Sequence, residues 1–352
     1  MATRALLRPF RAAAAMLGIS TSALTAWRRY ENRRRYRELA AAPLSADDCP
    51  CLGRHCPSMG RRLKSERVCR VFSSTAYRCA QCRLVYFDPQ PAASTLTEFY
   101  STPGDAGYAA QLRGWTARDL TEEQRSFCRQ KLENLETQWR KAVPLAEDRK
   151  PKFVEVGIGN AHMLAVARDV LGWTASGVDV SHPLAEDARR GFGLEIIERD
   201  LSTSDCGHDL PTGVDIVLAE HTLEHTRHPG QVLRNIAAML APGGIAVIMV
   251  PNGQSLQSLR DFSGWAWGNY PVHLYFFTRR SFEMSFAKAG MECESFDSAV
   301  YNDEGEQATG KVLRSVLGLE ETADVADYFP AMRESLLLPE LCVVARKRVD
   351  AV

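Results

Sequence analysis

Histidine is the side chain whose intrinsic pKa suits proton transfer near neutral pH, and three of the eight histidines in this 352-residue chain stand among other reactive groups. His221 and His225 flank Glu224 in the run Glu220-His221-Thr222-Leu223-Glu224-His225. His273 follows Trp265-Ala266-Trp267-Gly268-Asn269-Tyr270-Pro271, an aromatic, glycine-broken stretch composed like the wall of a substrate cavity. Each is a candidate general base for a hydroxyl or an amine. For His225, packing against the next helix or capping it is the alternative, whereas His208 and His228 read as surface loop residues.

A second group has the makings of a nucleoside site. Phe153-Val154-Glu155-Val156-Gly157-Ile158-Gly159-Asn160-Ala161 is an apolar strand running into a glycine turn and then a helix, which presents unobstructed backbone N–H groups. Asp179 closes the following strand, Ser176-Gly177-Val178-Asp179-Val180, where a carboxylate can accept hydrogen bonds from ribose hydroxyls. The dinucleotide pattern G-x-G-x-x-G fails, because His162 stands where the last glycine belongs. Glu155, two residues before the first glycine, would repel a pyrophosphate but accept a bond from a cationic amino-acid head group.

A third group is the cysteines, ten in all, six of them between Cys49 and Cys82. Cys79-Ala80-Gln81-Cys82 is a C-x2-C pair, and Cys49, Cys51 and Cys56 lie about thirty residues upstream. Two thiolate pairs make a tetrahedral zinc site. Which two of the upstream three would bind stays open, because Cys49 and Cys51 have one residue between them and Cys51 and Cys56 have four. A buried or redox role is the alternative. Cys69, Cys128, Cys206, Cys293 and Cys342 are scattered and read as core or neutral positions.

The glycine turn resembles the first motif of the class I S-adenosylmethionine-dependent methyltransferases, acidic-x-Gly-x-Gly-x-Gly, with Ala161 replacing the last glycine. The family's later segments follow in order over roughly residues 150 to 300. They are Ile196 to Leu201 ending in an acid, the apolar strand Val214 to Glu220, a helix opened by Pro229, and Leu240-Ala241-Pro242-Gly243-Gly244 leading into the strand Ile245 to Asn252. Leu223-Glu224-His225 and Pro271-Val272-His273-Leu274-Tyr275-Phe276-Phe277-Thr278 resemble a subgroup that methylates small molecules. The cysteine segment resembles its amino-terminal C-x2-C module, continuing as Leu84-Val85-Tyr86-Phe87-Asp88-Pro89-Gln90-Pro91.

The resemblance implies S-adenosylmethionine as cofactor, with its methionine head near Glu155, Gly157 and Gly159 and its ribose at Asp179. Adenine would lie near Asp200 and Leu201, and Glu220 would border the cofactor. It implies in-line methyl transfer, most readily to a hydroxyl of a small molecule, with His225, His273 or His221 and the adjoining Glu224 at the reaction centre. Alternatively Glu220, Glu224 and His225 bind a divalent ion. Two other functions are weighed: a tRNA or protein methyltransferase recruited through the amino-terminal region, and a non-catalytic module, for which Ala161 is the one feature. Neither the Asp/Asn-Pro-Pro-aromatic sequence of base amino-methylation nor the Pro-Cys of cytosine methylation stands after Ala219, so nucleic acid is a disfavoured target.

Short apolar runs alternating with helical patterns predict an α/β, Rossmann-like, doubly wound sheet of seven strands. Leu341 to Lys347 is expected as its last, antiparallel strand. The expected organisation is a basic helical segment over 1–45, a zinc-ribbon-like module over 46–91, a helical connector over 92–148, and the methyltransferase domain over 149–352. In the connector Phe127, Leu132, Leu135 and Trp139 form an apolar stripe, and Tyr108 and Trp115 are candidate lid residues. Within the domain an insert of about 302–338 has a polar loop at Asn302 to Glu306 and helices around Val312 to Leu317 and Tyr328 to Leu337, covering the site or a homodimer face.

Basic and acidic residues number 43 each, so no global field recruits nucleic acid or membrane. No run of eighteen apolar residues suggests a membrane span. The cysteine usage points to a reducing, cytoplasmic setting, with an Arg-rich, acid-poor amino terminus resembling an organelle-targeting peptide as the alternative. A helix-turn-helix-like piece is a third reading of that terminus.

Overall fold

The computed structural model describes residues 41–42, 65–71, 74–101, 120–141, 143, 149–204, 209–268, 272–300 and 303–348. Strands β1 (Ala41–Ala42), β2 (Ser65–Val71), β3 (Ser74–Cys79), β4 (Val85–Asp88) and β5 (Gln90–Pro91) precede helices α1 (Ala93–Ser101) and α2 (Glu122–Arg140). An alternating series follows: β6 (Lys152–Val156), α3 (His162–Asp169), β7 (Thr174–Asp179), α4 (His182–Phe192), β8 (Glu195–Glu198), β9 (Val214–Glu220), α5 (Pro229–Met239) and β10 (Leu240–Pro251). The chain ends with α6 (Leu256–Arg260), β11 (Tyr275–Phe276), α7 (Arg279–Lys288), β12 (Met291–Ala299), α8 (Asp303–Leu317), α9 (Phe329–Glu334) and β13 (Glu340–Lys347).

The main sheet has seven strands in the order β12-β13-β10-β9-β6-β7-β8. Its strands run parallel except β13, which pairs antiparallel with both β10 and β12 and so lies inside the sheet rather than at its margin. Phe153 to Val156 form β6 because a central parallel strand is covered on both faces. Val154 and Val156 join one apolar layer, and Phe153 joins the other with Leu132, Leu135 and Trp139 of α2. Strand order reverses at β6, whose neighbours are β7 on one side and β9 on the other. Ligands of open α/β sheets bind in the crevice at the carboxyl ends of such a pair.

A capping box starts α2: Thr121 Oγ1 accepts from the Gln124 N–H, and Gln124 Oε1 accepts from the Thr121 N–H. Its buried stripe is Cys128, Leu132, Leu135 and Trp139; Phe127, expected in that stripe, is 64% exposed. The one-residue shift follows from the 3.6-residue turn, which aligns 128 with 132, 135 and 139.

The second sheet, β11-β4-β3-β2, is joined to the main domain through β11. Tyr275 and Phe276 pair with Tyr86 and Val85, the Phe87 N–H donates to Leu274 O, and Thr278 Oγ1 donates to Cys82 O. Cys79 and Cys82 are buried where β3 turns toward β4, with the Cys82 N–H 3.5 Å from Cys79 Sγ. Cys49, Cys51 and Cys56, like Tyr108, Trp115 and most of residues 1–45, lie outside the described residues.

One expectation is corrected near the carboxyl terminus. The polar stretch 302–306 is not a loop over its length, because α8 already begins at Asp303. Helical periodicity, with Thr309 and Leu313 facing inward, outweighs its polarity. Leu313, Val325, Met332 and Leu338 make a small core of their own, and Gln257 Nε2 donates to Thr309 Oγ1 to tie it to α6. No helix among the described residues is long and apolar enough to cross a membrane.

Candidate active site

The glycine turn leaves β6 with Gly157 at φ +76° and Gly159 at φ +52°. Gly157 donates its N–H to Val178 O, and a Cβ there would stand 2.0 Å from Thr222 Oγ1. A Cβ on Gly159 would meet nothing within 4 Å, so this limb of the turn faces open space. Ala161 also has positive φ, +57°, at the N-cap of α3.

Both oxygens of Asp179 are engaged by the turns around it: the Ile158 N–H donates to Oδ2 at 2.9 Å and the Ser181 N–H to Oδ1 at 2.7 Å. Burial raises its pKa, against the pull of these N–H donors, to about 6. Glu155 is buried, and Oε2 has no hydrogen-bond partner among the described residues. Burial foremost, and then the charge of Glu220, push its carboxyl well above the usual range. From α2, Lys131 Nζ reaches Glu220 Oε2 at 2.5 Å. Ser181 Oγ donates to Tyr100 O, which brings the end of α1 over this side of the sheet. Asp200 lies on an exposed turn, accepting from the N–H and hydroxyl of Ser202, and Leu201 is buried with its carbonyl accepting from Asn235 Nδ2.

The second half of the site leaves β9. Thr222 Oγ1 lies 3.1 Å from both Val156 O and Glu220 O, which ties the end of β9 to the end of β6. His221 adopts φ +48°, and its N–H donates to Met249 O. A short 3-10 turn, Leu223–His225, buries Glu224 completely. That turn is zipped to the segment 272–274: the Leu274 N–H donates to Glu224 O, and His225 Nδ1 lies 3.0 Å from Val272 O. His273 Nδ1 lies 3.0 Å from Trp267 O. A carbonyl can only accept, so both rings carry the proton on Nδ1 and present Nε2 as an acceptor.

These two Nε2 atoms lie 3.8 Å (His225) and 4.0 Å (His273) from Glu224 Oε1, and the ring centroids are 4.8 Å apart. On the other side of Glu224, His221 Nδ1 lies 3.3 Å from Oε1 and His221 Nε2 lies 2.8 Å from Glu340 Oε1. Burial would discharge His221, but its bonds to Glu224 and Glu340 raise it to about 10. Burial lowers His225, and burial together with His225 lowers His273 to about 3. Glu224 falls below the usual carboxylate range, because His221 and the other two rings outweigh its burial. At neutral pH the cluster is a carboxylate held by one imidazolium and faced by two neutral imidazoles.

Of the residues the sequence singles out, Glu155, Gly157, Gly159 and Asp179 lie at the ends of β6 and β7 and Glu220 ends β9, while His221, His225 and His273 gather around Glu224 just beyond that strand. Lys131, Thr222 and Glu340 join them without having been anticipated. Lys131 had no local sign of its own, being one of four basic residues on α2 with Arg125, Arg129 and Arg140. Glu340 had almost none, being an acid at the start of a strand near the chain end.

Residues 121–295 match a family model described as a methyltransferase domain. Over 104 residues the chain is 30% identical to the ubiquinone biosynthesis O-methyltransferase of Caulobacter sp. (strain K31), a match that covers 29% of this chain and 41% of that protein. The chain thus spans about two fifths of the length of this curated relative. Among solved structures, an S-adenosylmethionine-dependent methyltransferase from Mesorhizobium loti aligns at 19% identity, over 56% of this chain and 91% of the other, with a TM-score of 0.39. One from Archaeoglobus fulgidus aligns at 16% identity, over 61% and 94%, with a TM-score of 0.39.

Proposed function

We propose that this chain, which belongs through residues 121–295 to the class I S-adenosylmethionine-dependent methyltransferases, moves a methyl group from S-adenosylmethionine to a hydroxyl of a small molecule. The observation that carries the proposal is the tie between the two half-sites: the Thr222 hydroxyl binds the turn that bears the histidine cluster to the glycine turn. A cofactor on one turn would then face an acceptor on the other.

The residues fit the cofactor. The open face of Gly159 leaves room for the methionine head group, and the buried Glu155 Oε2 is an orphaned acceptor where an ammonium would bind. Asp179 would take the ribose, with Asp200 and Leu201 beside the adenine and the Lys131–Glu220 pair bordering the head group. Bound S-adenosylmethionine supplies a methyl on a sulfonium, an activated leaving group, so alignment is the larger part of the protein's task. The neutral rings of His225 and His273 ease loss of the acceptor's proton. His221, already protonated, holds Glu224 in place. The relative named for ubiquinone O-methylation supports oxygen as the acceptor atom.

Cys79 and Cys82, with two of Cys49, Cys51 and Cys56, would hold a structural zinc ion; the buried turn with the Cys82 N–H directed at Cys79 Sγ supports this. Calorimetric titration with S-adenosylmethionine and S-adenosylhomocysteine tests the main proposal. Wild-type binding that is lost in Asp179→Ala is the expected result and leads to an acceptor screen of phenols and sugars. Wild-type protein that binds neither ligand would overturn it.

A further inference from the structure

We propose that Glu224, His225 and His273 together bind one divalent transition-metal cation of the zinc type, which prefers imidazole nitrogen and carboxylate oxygen. The ion would assist the acceptor hydroxyl, and in that respect alone the inference rests on the methyltransferase reading.

Three observations carry it. One ligand atom from each residue lies within 4.8 Å of the other two, and around a tetrahedral ion with bonds of about 2.1 Å such atoms stand about 3.4 Å apart, so the pairs would close by about 0.4 to 1.4 Å on binding one. Both imidazoles donate Nδ1–H to backbone carbonyls, Val272 O and Trp267 O, each at 3.0 Å. That anchoring fixes the tautomer and aims Nε2 inward, the support that metal-bound histidines commonly receive. Finally, Glu224 is fully buried, and its Oε2 has no hydrogen-bond partner among the described residues.

Glu224 Oε1 lies 3.8 and 4.0 Å from the Nε2 atoms of His225 and His273, so a cation placed among the three would meet all of them. His221 meets Glu224 Oε1 as the donor of a contact of its own and reaches on to Glu340, so it orients the carboxylate rather than serving as a fourth ligand. With Nε2 of both rings on the ion, neither ring would take the proton itself; a hydroxyl brought to the ion is acidified, as metal-bound water is, and gives its proton to solvent.

Cobalt(II) titration of chelator-stripped, full-length protein tests the inference. The expected spectrum has, beside the thiolate-type bands and near-ultraviolet charge transfer of any cobalt held by the cysteines, a second set of visible ligand-field bands that brings no charge transfer of its own, which separates the two ions. In His273→Ala and in Glu224→Gln the affinity behind this second set should fall by at least about tenfold. A second set that persists unchanged in both variants overturns the inference. So does wild-type protein with thiolate-type bands only, whether or not the variants fold. Binding of S-adenosylmethionine to the same sample separates the two failures. Cofactor binding without nitrogen- and oxygen-type bands removes the ion alone, whereas those bands without cofactor binding keep the ion and remove the methyltransferase reading.

Discussion

Gly157 and Thr222 touch so closely that a Cβ on the glycine would stand 2.0 Å from the threonine hydroxyl. They belong to different strand ends, β6 and β9, and the contact sets the spacing between the cofactor turn and the histidine cluster. Gly157→Ala therefore faces two costs, a left-handed φ of +76° and a collision. About 2–4 kcal/mol of stability should be lost in urea denaturation. In a Thr222→Ala background, which removes the two nearest threonine atoms, the same change should cost less. An equal cost in both backgrounds would show that φ alone excludes the methyl.

Ala161 presents the opposite case. Its φ of +57° is a conformation in which an L-residue loses about 1–2 kcal/mol. Restoring the family's glycine recovers that amount but gives up roughly 0.8 kcal/mol for a buried methyl and about 0.5–1 kcal/mol of chain entropy. The effects nearly cancel, so Ala161→Gly should leave the midpoint of denaturation within about 1 kcal/mol of wild type. Ala161→Val puts a β-branched side chain into the same left-handed, 1%-exposed position and should cost more than about 2 kcal/mol. A large gain in stability from the glycine would mean that the departure from the motif carries real strain.

These two positions also show why half of the site was legible in the sequence. Gly157, Gly159 and Asp179 act through local backbone shape, a strand, a turn and the next strand end, and such signals are contiguous. The histidines were legible only as separate candidates. His225 meets Val272 across 47 residues, and no spacing rule encodes that pairing. Glu340 escaped because its role comes from sheet order: β13 runs against its neighbours, so its first residue lies opposite Pro251, where the parallel strands end. Phe127 was misplaced by one residue because both it and Cys128 are apolar and only packing on Phe153 decides between them.

Asp179 predicts opposed pH dependences for folding and for cofactor binding. Its folded pKa of about 6 exceeds the ordinary 3.8, so between these values the folded state holds the proton more tightly than the unfolded chain does. Its contribution to stability accordingly declines as pH rises from 3.8 to about 6 and is level above that, by an amount on the order of 3 kcal/mol. Denaturation of wild type and Asp179→Asn across this range should show the wild type losing stability relative to the variant as pH rises. Cofactor affinity should do the reverse and weaken as pH falls through about 6, because a protonated carboxyl accepts poorly from the ribose. Calorimetry at matched ionic strength checks the second arm, and affinity independent of pH there would remove Asp179 from the cofactor site.

Glu340 is the last residue whose role can be separated experimentally. It touches the cluster only through His221 Nε2, at 2.8 Å, while His221 grips Glu224 by Nδ1. Glu340→Gln keeps size and burial but gives up the charge that holds the imidazolium, so Glu224 loses part of its orientation. Outer partners of this kind typically cost 10–100-fold when removed. The expected result is a fall of about tenfold in kcat, with the Kd for S-adenosylmethionine changed by less than about twofold, because the glycine turn and Asp179 are untouched. A matching loss in cofactor affinity would point to a collapse of the β10–β13 edge, and an unchanged kcat would place Glu340 outside the reaction altogether. His221→Gln in the same assay should act in the same direction, and adding Glu340→Gln to it should cost little more, since the two residues act through one contact.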